Sequence, residues 1–135
     1  MNTELTYLVW ITTFTAVMWV PYMLDRIAVW GVMDTVGYPD NPRHQSPWAR
    51  RMKAAHANVV ENLAVFAALV LVAHAAGVSN SATVFACAVY FWARVMHLFA
   101  YTVAMPWART FAFAAGFVAQ IILSWQLLAH LGVAG

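Results

Sequence analysis

The sequence has 135 residues, of which 64% are hydrophobic and 9% are charged, and its formal net charge is +2. Soluble domains carry about 25% charged residues, so most of this chain cannot face water. At about 20 residues per crossing, the length suits four membrane crossings within a single domain, residues 1–135. The few basic residues lie beside apolar segments, which gives no indication of nucleic-acid binding. The single cysteine, Cys87, excludes an internal disulfide and a cysteine-based metal site.

The first predicted helix covers residues 5–24, a run without a charged side chain. Pro21 lies near its end and is expected to loosen the last turn, because proline lacks the amide N–H that a helix needs. Asp25 and Arg26 are expected to mark the exit from the membrane. The stretch from there to Ala54 is rich in Pro, Gly, Asp and Asn, and it is predicted to be a long loop.

Three further helices are predicted at about 54–76, 82–105 and 109–133, which gives an all-α fold, a transmembrane four-helix bundle. Most of the basic residues lie at the first and third loops, whereas the termini and the second loop hold no Lys or Arg. They are Arg26, Arg43, Arg50, Arg51 and Lys53 at the first loop and Arg109 at the third. The positive-inside rule therefore predicts that these two loops are cytoplasmic and that both termini lie on the non-cytoplasmic side.

Two charged residues, Glu61 and Arg94, lie well inside the predicted helices. A charge at the membrane centre costs about 2.5–3.5 kcal/mol on insertion scales, so such residues usually face a partner or a cavity. At 1.5 Å per residue, Glu61 lies roughly 12 Å and Arg94 roughly 15 Å from the cytoplasmic helix ends. A Glu61–Arg94 contact, within one chain or between chains, is therefore geometrically possible.

Polar side chains near these two charges recur at helical spacing and form one stripe on each helix. The stripes consist of Asn58, Glu61 and Asn62 on the second helix and of Arg94, His97 and Tyr101 on the third. They predict a polar pocket in the cytoplasmic half of the bundle, with Arg109 at its mouth. An anionic or zwitterionic ligand, a structural salt bridge and a proton or ion path all remain open for this pocket. The five histidines are poorly spaced for a metal site, and none is predicted.

The second to fourth helices carry sequence motifs that resemble those of the MAPEG family, the membrane-associated proteins in eicosanoid and glutathione metabolism. The run Arg51-Met-Lys-Ala-Ala-His-Ala-Asn58-Val-Val-Glu61-Asn resembles the second-helix motif of that family. Arg94-Val-Met-His97-Leu-Phe-Ala-Tyr101 resembles its third-helix motif, and Pro106-Trp-Ala-Arg109 resembles the start of its fourth helix. The resemblance covers nearly the whole chain.

The resemblance implies a homotrimer in a bacterial inner membrane that binds glutathione between neighbouring subunits in the cytoplasmic half. Arg109 would be the catalytic residue, since a fixed positive charge beside the sulfur stabilises the thiolate. The residues implied to bind glutathione are Arg26, Arg51, Asn58, Glu61, Arg94, His97 and Tyr101. A lipophilic small-molecule substrate would enter from the membrane lipid, so the implied activity is that of a glutathione transferase or peroxidase acting on lipophilic electrophiles.

Two positions depart from the pattern of the glutathione-using members. Ala54 and Ala57 stand where arginines occur in those proteins. The loss of a charged hydrogen bond weakens binding by about 1.5–3 kcal/mol. This departure favours an alternative, a non-enzymatic member of the family that binds a lipid, a small ligand or a partner subunit. A third hypothesis is a small transporter in which Glu61 is the proton-coupled carboxylate.

Overall fold

The structure is a computed structural model and describes residues 2–132. Within this range the helices are α1 (Thr3–Val17), α2 (Trp19–Trp30), α3 (Val32–Val36), α4 (Pro47–Ala76), α5 (Ser81–Thr102) and α6 (Pro106–His130). Four helical segments are long and apolar enough to cross a membrane: Thr3–Trp30, Pro47–Ala76, Ser81–Thr102 and Pro106–His130. The predicted all-α transmembrane four-helix fold is thus confirmed, and the chain is an integral membrane protein. Val133, the predicted end of the fourth helix, lies outside the described residues.

The first span consists of two helices, α1 and α2, which meet at Met18. Pro21 accounts for this break, because it has no N–H to donate to the carbonyl of Val17 and its ring crowds that carbonyl. The span then continues to Trp30 rather than ending at residue 24. Asp25 is accommodated within α2 because its carboxylate accepts hydrogen bonds from the backbone N–H (3.0 Å) and hydroxyl (2.5 Å) of Ser46.

The second span, α4, begins at Pro47 rather than at residue 54. Proline at the first position of a helix loses no hydrogen bond, because the first N–H groups have no intrahelical acceptor. The carbonyl of Ser46 accepts hydrogen bonds from the N–H groups of Ala49 and Arg50, at 3.0 and 3.1 Å. The basic run from Arg50 to Lys53 therefore lies on the first turns of a helix, whereas the sequence had placed it in the loop.

The third and fourth spans are joined by a tight turn that contains Ala104, whose φ of 61° is unusual for a residue other than glycine. α5 starts with a capping box, in which Asn80 and Thr83 exchange hydrogen bonds between their side chains and backbone N–H groups. It ends at Thr102, and Pro106 opens α6. These turns bring the end of α5 and the start of α6 together at the same end of the bundle as the loop between α3 and α4.

We call this end of the bundle the loop end, and the opposite end, at the turn Gly77–Asn80, the turn end. Near the turn end the core is mainly apolar and includes Ile11, Phe66, Val70, Cys87, Tyr90 and Leu123. Two polar residues, Glu4 and Thr83, are buried at this end as well. The rings of Phe66 and Tyr90 stack with their centroids 3.9 Å apart and an interplanar angle of 7°. This packing fills the interior on the turn side, so the larger group of polar side chains lies in the half nearer the loop end.

Substituting phenylalanine for Tyr22 is expected to destabilise the protein by about 1–3 kcal/mol, the cost of leaving a partly buried polar group without its partner. The Tyr22 hydroxyl lies 2.7 Å from Nδ1 of His56 and so ties α2 to α4. Thermal unfolding of the detergent-purified protein measures the effect. Tyr38→Phe is the matched control, because the Tyr38 side chain is fully exposed. An equal melting temperature for Tyr22→Phe and wild type would show that this hydrogen bond contributes nothing.

Candidate functional site

A hydrogen-bonded group of three polar side chains joins α4 to α5. Nη2 of Arg94 donates a hydrogen bond to Oδ1 of Asn58 at 2.5 Å and lies 3.5 Å from Nδ1 of His97. The side chains of Arg94 and His97 are only 1% and 2% exposed. A buried charge is costly unless it is paired or hydrogen-bonded. Asn58 therefore stabilises the guanidinium and fixes its position within the bundle.

A cavity of about 230 Å³ borders this group and opens between α4, α5 and α6. Its lining consists of Asn58, His97, Tyr101, Arg109, Thr110 and Phe113. Cζ of Arg109 lies 5.0 Å from the centroid of the Tyr101 ring, a distance at which an aromatic face attracts a cation. The tight turn after α5 thus places Arg109, at the start of α6, beside the polar stripe of α5. We call this cavity the polar cavity.

Two further cavities adjoin the polar cavity through shared residues. Arg51, Tyr101 and Arg109 line one of about 110 Å³, and Arg51 and Tyr101 also line one of about 270 Å³ together with Arg50 and Ala54. Nε of Arg51 donates a hydrogen bond to the carbonyl oxygen of Thr102 at 2.9 Å, which satisfies a free carbonyl at the end of α5. None of the lining residues of these three cavities, all within residues 2–132, is acidic. The region therefore suits an anionic ligand.

Two of the predicted site residues lie apart from the polar cavity within the chain. Glu61 is exposed on α4, because three residues along a helix turn the side chain by about 60° away from the Asn58 direction. The partner of Arg94 is Asn58, so the Glu61–Arg94 contact expected as one possibility does not form within one chain. Arg26 lines a different cavity, where its Nε donates to the side-chain oxygen of Gln45 at 3.2 Å.

The exposed face of α4 carries a regular stripe of mostly small side chains that the sequence analysis missed. Its members alternate at spacings of three and four residues: Ala54, Ala57, Glu61, Ala64, Ala68, Leu71 and Ala75. Such spacing is typical of helices that pack in a left-handed pair, and small residues allow close approach within a membrane. The spacing of these residues is visible in the sequence, but their exposure on one face of α4 becomes clear only in the folded chain. We call this surface the α4 stripe.

Fold and site together define a four-span helical membrane protein with a cationic cavity near one end of its bundle. The sequence profile described as the MAPEG family matches residues 9–129, nearly the whole chain, and that range contains every residue of the polar cavity. The chain belongs to the MAPEG family, as its motifs had predicted. It is accordingly a membrane protein of the family that takes its name from eicosanoid and glutathione metabolism.

The other comparisons add no individual relative: no curated protein and no solved structure matches the chain. Across residues 2–132, no group of three or more His, Cys, Asp or Glu side chains is placed to hold a metal ion.

Proposed function

We propose that the protein is a glutathione-dependent transferase or peroxidase that acts on lipophilic electrophiles. The observation that carries this proposal is the pair of guanidinium groups, of Arg51 and Arg109, on cavities without an acidic lining residue in the described chain. Glutathione has two carboxylates and one ammonium group, so it is a net anion that such cavities attract. Nε of Arg94 is a buried donor without an acceptor among residues 2–132, which fits a polar ligand nearby.

Arg109 is proposed to favour the thiolate of bound glutathione, because a positive charge near the sulfur stabilises its ionised form. The thiol proton leaves to solvent, and the thiolate is the nucleophile. In a transfer reaction its electron pair forms the new carbon–sulfur bond while the leaving group departs as an anion. In a peroxidase reaction two glutathione molecules are oxidised to the disulfide, and the hydroperoxide is reduced to an alcohol and water. Both reactions need the same thiolate, so the site accommodates either.

We further propose that the chains assemble as a homotrimer, with glutathione between neighbouring subunits. The α4 stripe supports this, since its alanines present a surface on which a second helix can pack closely. Glu61 lies in the middle of the stripe, and a carboxylate facing lipid costs about 2.5–3.5 kcal/mol near the membrane centre. Across the subunit boundary it would meet the ammonium group of glutathione. The expected role of Arg26 likewise requires a neighbouring chain, because Arg26 does not line the polar cavity of its own chain.

The absence of arginine at positions 54 and 57 is partly offset in the folded chain. Ala54 lines the cavity of about 270 Å³ together with Arg50 and Arg51. Two guanidinium groups thus surround a position where glutathione-using members of the family carry one. The positions of Arg50 and Arg51 thus support the binding of a glutathione carboxylate beside Ala54. From the sequence alone, Ala54 and Ala57 made such binding less favourable.

We also propose that the loop end faces the cytoplasm of a bacterial inner membrane and that both termini lie on the other side. Arg43, Arg50, Arg51 and Lys53 belong to the loop end, and basic residues favour the cytoplasmic side. Soluble glutathione would then reach the polar cavity directly from the cytoplasm.

Titration of the detergent-purified protein with glutathione tests the proposed function. We expect a saturable increase of thiolate absorbance in the ultraviolet at millimolar glutathione. S-methylglutathione, which has no ionisable thiol, is the matched control and should compete for the site without producing the band. If glutathione does not bind at millimolar concentration, the enzymatic proposal is wrong. Ala54 and Ala57 would then favour the non-enzymatic alternative, a family member that binds a lipid or a partner subunit.

A further inference from the structure

A second cationic cavity, of about 330 Å³, lies at the loop end between the last turn of α2, the loop before α4 and the first turns of α4. We call it the loop cavity. Four of its lining residues are basic, and one is an aromatic residue of the kind that settles at membrane interfaces: Arg26, Arg43, Arg50 and Lys53, with Trp30. No lining residue from the described part of the chain is acidic. It shares no lining residue with the polar cavity, while Arg50 also lines the neighbouring cavity of about 270 Å³.

Hydrogen bonds within the loop hold the walls of this cavity in place. Nε1 of Trp30 donates to the carbonyl oxygen of Arg43 at 2.6 Å, and Cζ of Arg26 lies 4.9 Å from the centroid of the Trp30 ring. The side-chain amide of Gln45 donates to the carbonyl oxygen of Tyr22 at 2.8 Å and to the carboxylate of Asp25 at 3.2 Å. Asp25 is thus directed at the loop backbone and at Gln45. These contacts hold the Arg26 side chain and the backbone of Arg43 in place within the chain.

The position of the loop cavity relative to the membrane indicates the source of its ligand. α2 ends at Trp30, and the basic run at the start of α4 ends at Lys53, so the cavity lies at the loop-end limits of both membrane spans. Basic clusters at this depth bind anionic lipid headgroups. The guanidinium groups of Arg43 and Arg50 offer the planar donor pairs that recognise phosphate oxygens. We propose that the loop cavity binds the phosphodiester of an anionic phospholipid, with the acyl chains along α2 and α4.

Native mass spectrometry of the whole protein in detergent, titrated with phosphatidylglycerol, tests this proposal without relying on glutathione binding. Wild type is expected to retain one lipid per chain. The double variant Arg43→Gln/Lys53→Gln should bind at least tenfold more weakly than wild type, while Arg43→Lys/Lys53→Arg, which keeps both positive charges, should bind more tightly than the glutamine variant. Both side chains are exposed, so the substitutions leave the core unchanged. Equal lipid affinity in wild type and the glutamine variant would overturn the proposal.

The matched control is Arg51→Gln/Arg109→Gln, which removes two cations at the same end of the bundle but outside the loop cavity. It should keep the affinity of wild type for phosphatidylglycerol, and an equal loss in both glutamine variants would show that general charge, not the cavity, binds the lipid. Phosphatidylcholine with the same acyl chains should bind at least tenfold more weakly than phosphatidylglycerol. If inorganic phosphate displaces phosphatidylglycerol at an equal concentration, the ligand is free phosphate and the lipid proposal is wrong.

Discussion

The Arg109→Ala variant is expected to bind glutathione but to lose at least nine-tenths of the thiolate signal at neutral pH. A positive charge within a few ångströms changes the ionisation equilibrium of a thiol by about one to three powers of ten. Arg109 lines both the polar cavity and the adjoining cavity of about 110 Å³, whereas Arg51 and Arg94 are held by hydrogen bonds to Thr102 and Asn58. Of these three arginines, Arg109 is the one that lines both cavities, since Arg51 lines only the smaller one and Arg94 lines neither. Calorimetry measures binding, and ultraviolet difference absorbance measures the thiolate.

Two control variants separate the charge of Arg109 from its shape. Arg109→Lys keeps a cation near the Tyr101 ring and should retain part of the thiolate signal. Thr110→Ala changes the neighbouring lining residue without a change in charge and should behave like wild type. Loss of binding and thiolate together in Arg109→Ala, with both controls intact, would show that Arg109 anchors a carboxylate of glutathione instead.

The Glu61→Ala variant is expected to lower glutathione affinity by about 10- to 150-fold, which corresponds to the 1.5–3 kcal/mol of one charged hydrogen bond. Glu61 is exposed on the α4 stripe and does not line the polar cavity of its own chain. A loss of affinity therefore indicates that the site is completed across a subunit boundary. Glu61→Gln, which keeps an acceptor oxygen but removes the charge, should give an intermediate affinity.

Asp40→Asn is the matched control for Glu61→Ala, because it removes an exposed carboxylate from the loop. It should leave glutathione affinity unchanged. The oligomeric mass, measured by light scattering without glutathione, shows whether Glu61 acts on the ligand or on assembly. If Glu61→Ala binds glutathione like wild type, Glu61 does not contact it. If the variant becomes monomeric, the carboxylate belongs to the subunit contact.

The four spans could be predicted from the sequence because long apolar runs without charge have few other stable environments. The residues at which the helices end could not be predicted in the same way. Asp25 and Arg26 indicated a membrane exit, yet α2 continues to Trp30 because Ser46 and Gln45 hydrogen-bond the Asp25 carboxylate. That partnership spans about twenty residues of sequence, so local composition does not reveal it.

The polar stripe of α5 was predicted from the spacing of Arg94, His97 and Tyr101, and the structure places the last two on the polar cavity. Depth along the helices could not decide which residue of α4 meets Arg94, since Asn58 and Glu61 differ by one turn. Rotation of α4 about its axis decides it, and tertiary packing sets that rotation. The sequence also gave no sign that Glu4 would be buried, with both carboxylate oxygens unpartnered within residues 2–132.

The unequal lengths of α4 and α5 shape the entrance to the polar cavity. α4 has 30 residues and α5 has 22, and the turn Gly77–Asn80 keeps them level at the turn end. The excess of eight residues (30 minus 22) extends past α5 at the loop end by about 12 Å at 1.5 Å per residue. On the α4 side, the entrance therefore extends further out at the loop end than it does at α5 and α6. In the proposed reaction, glutathione would arrive from water along α4, and the lipophilic electrophile would enter from the lipid past α5 and α6. Each molecule would then stay in its own phase until the two meet. The rate of turnover should then depend on the mole fraction of the lipophilic electrophile in the membrane leaflet, not on its bulk concentration.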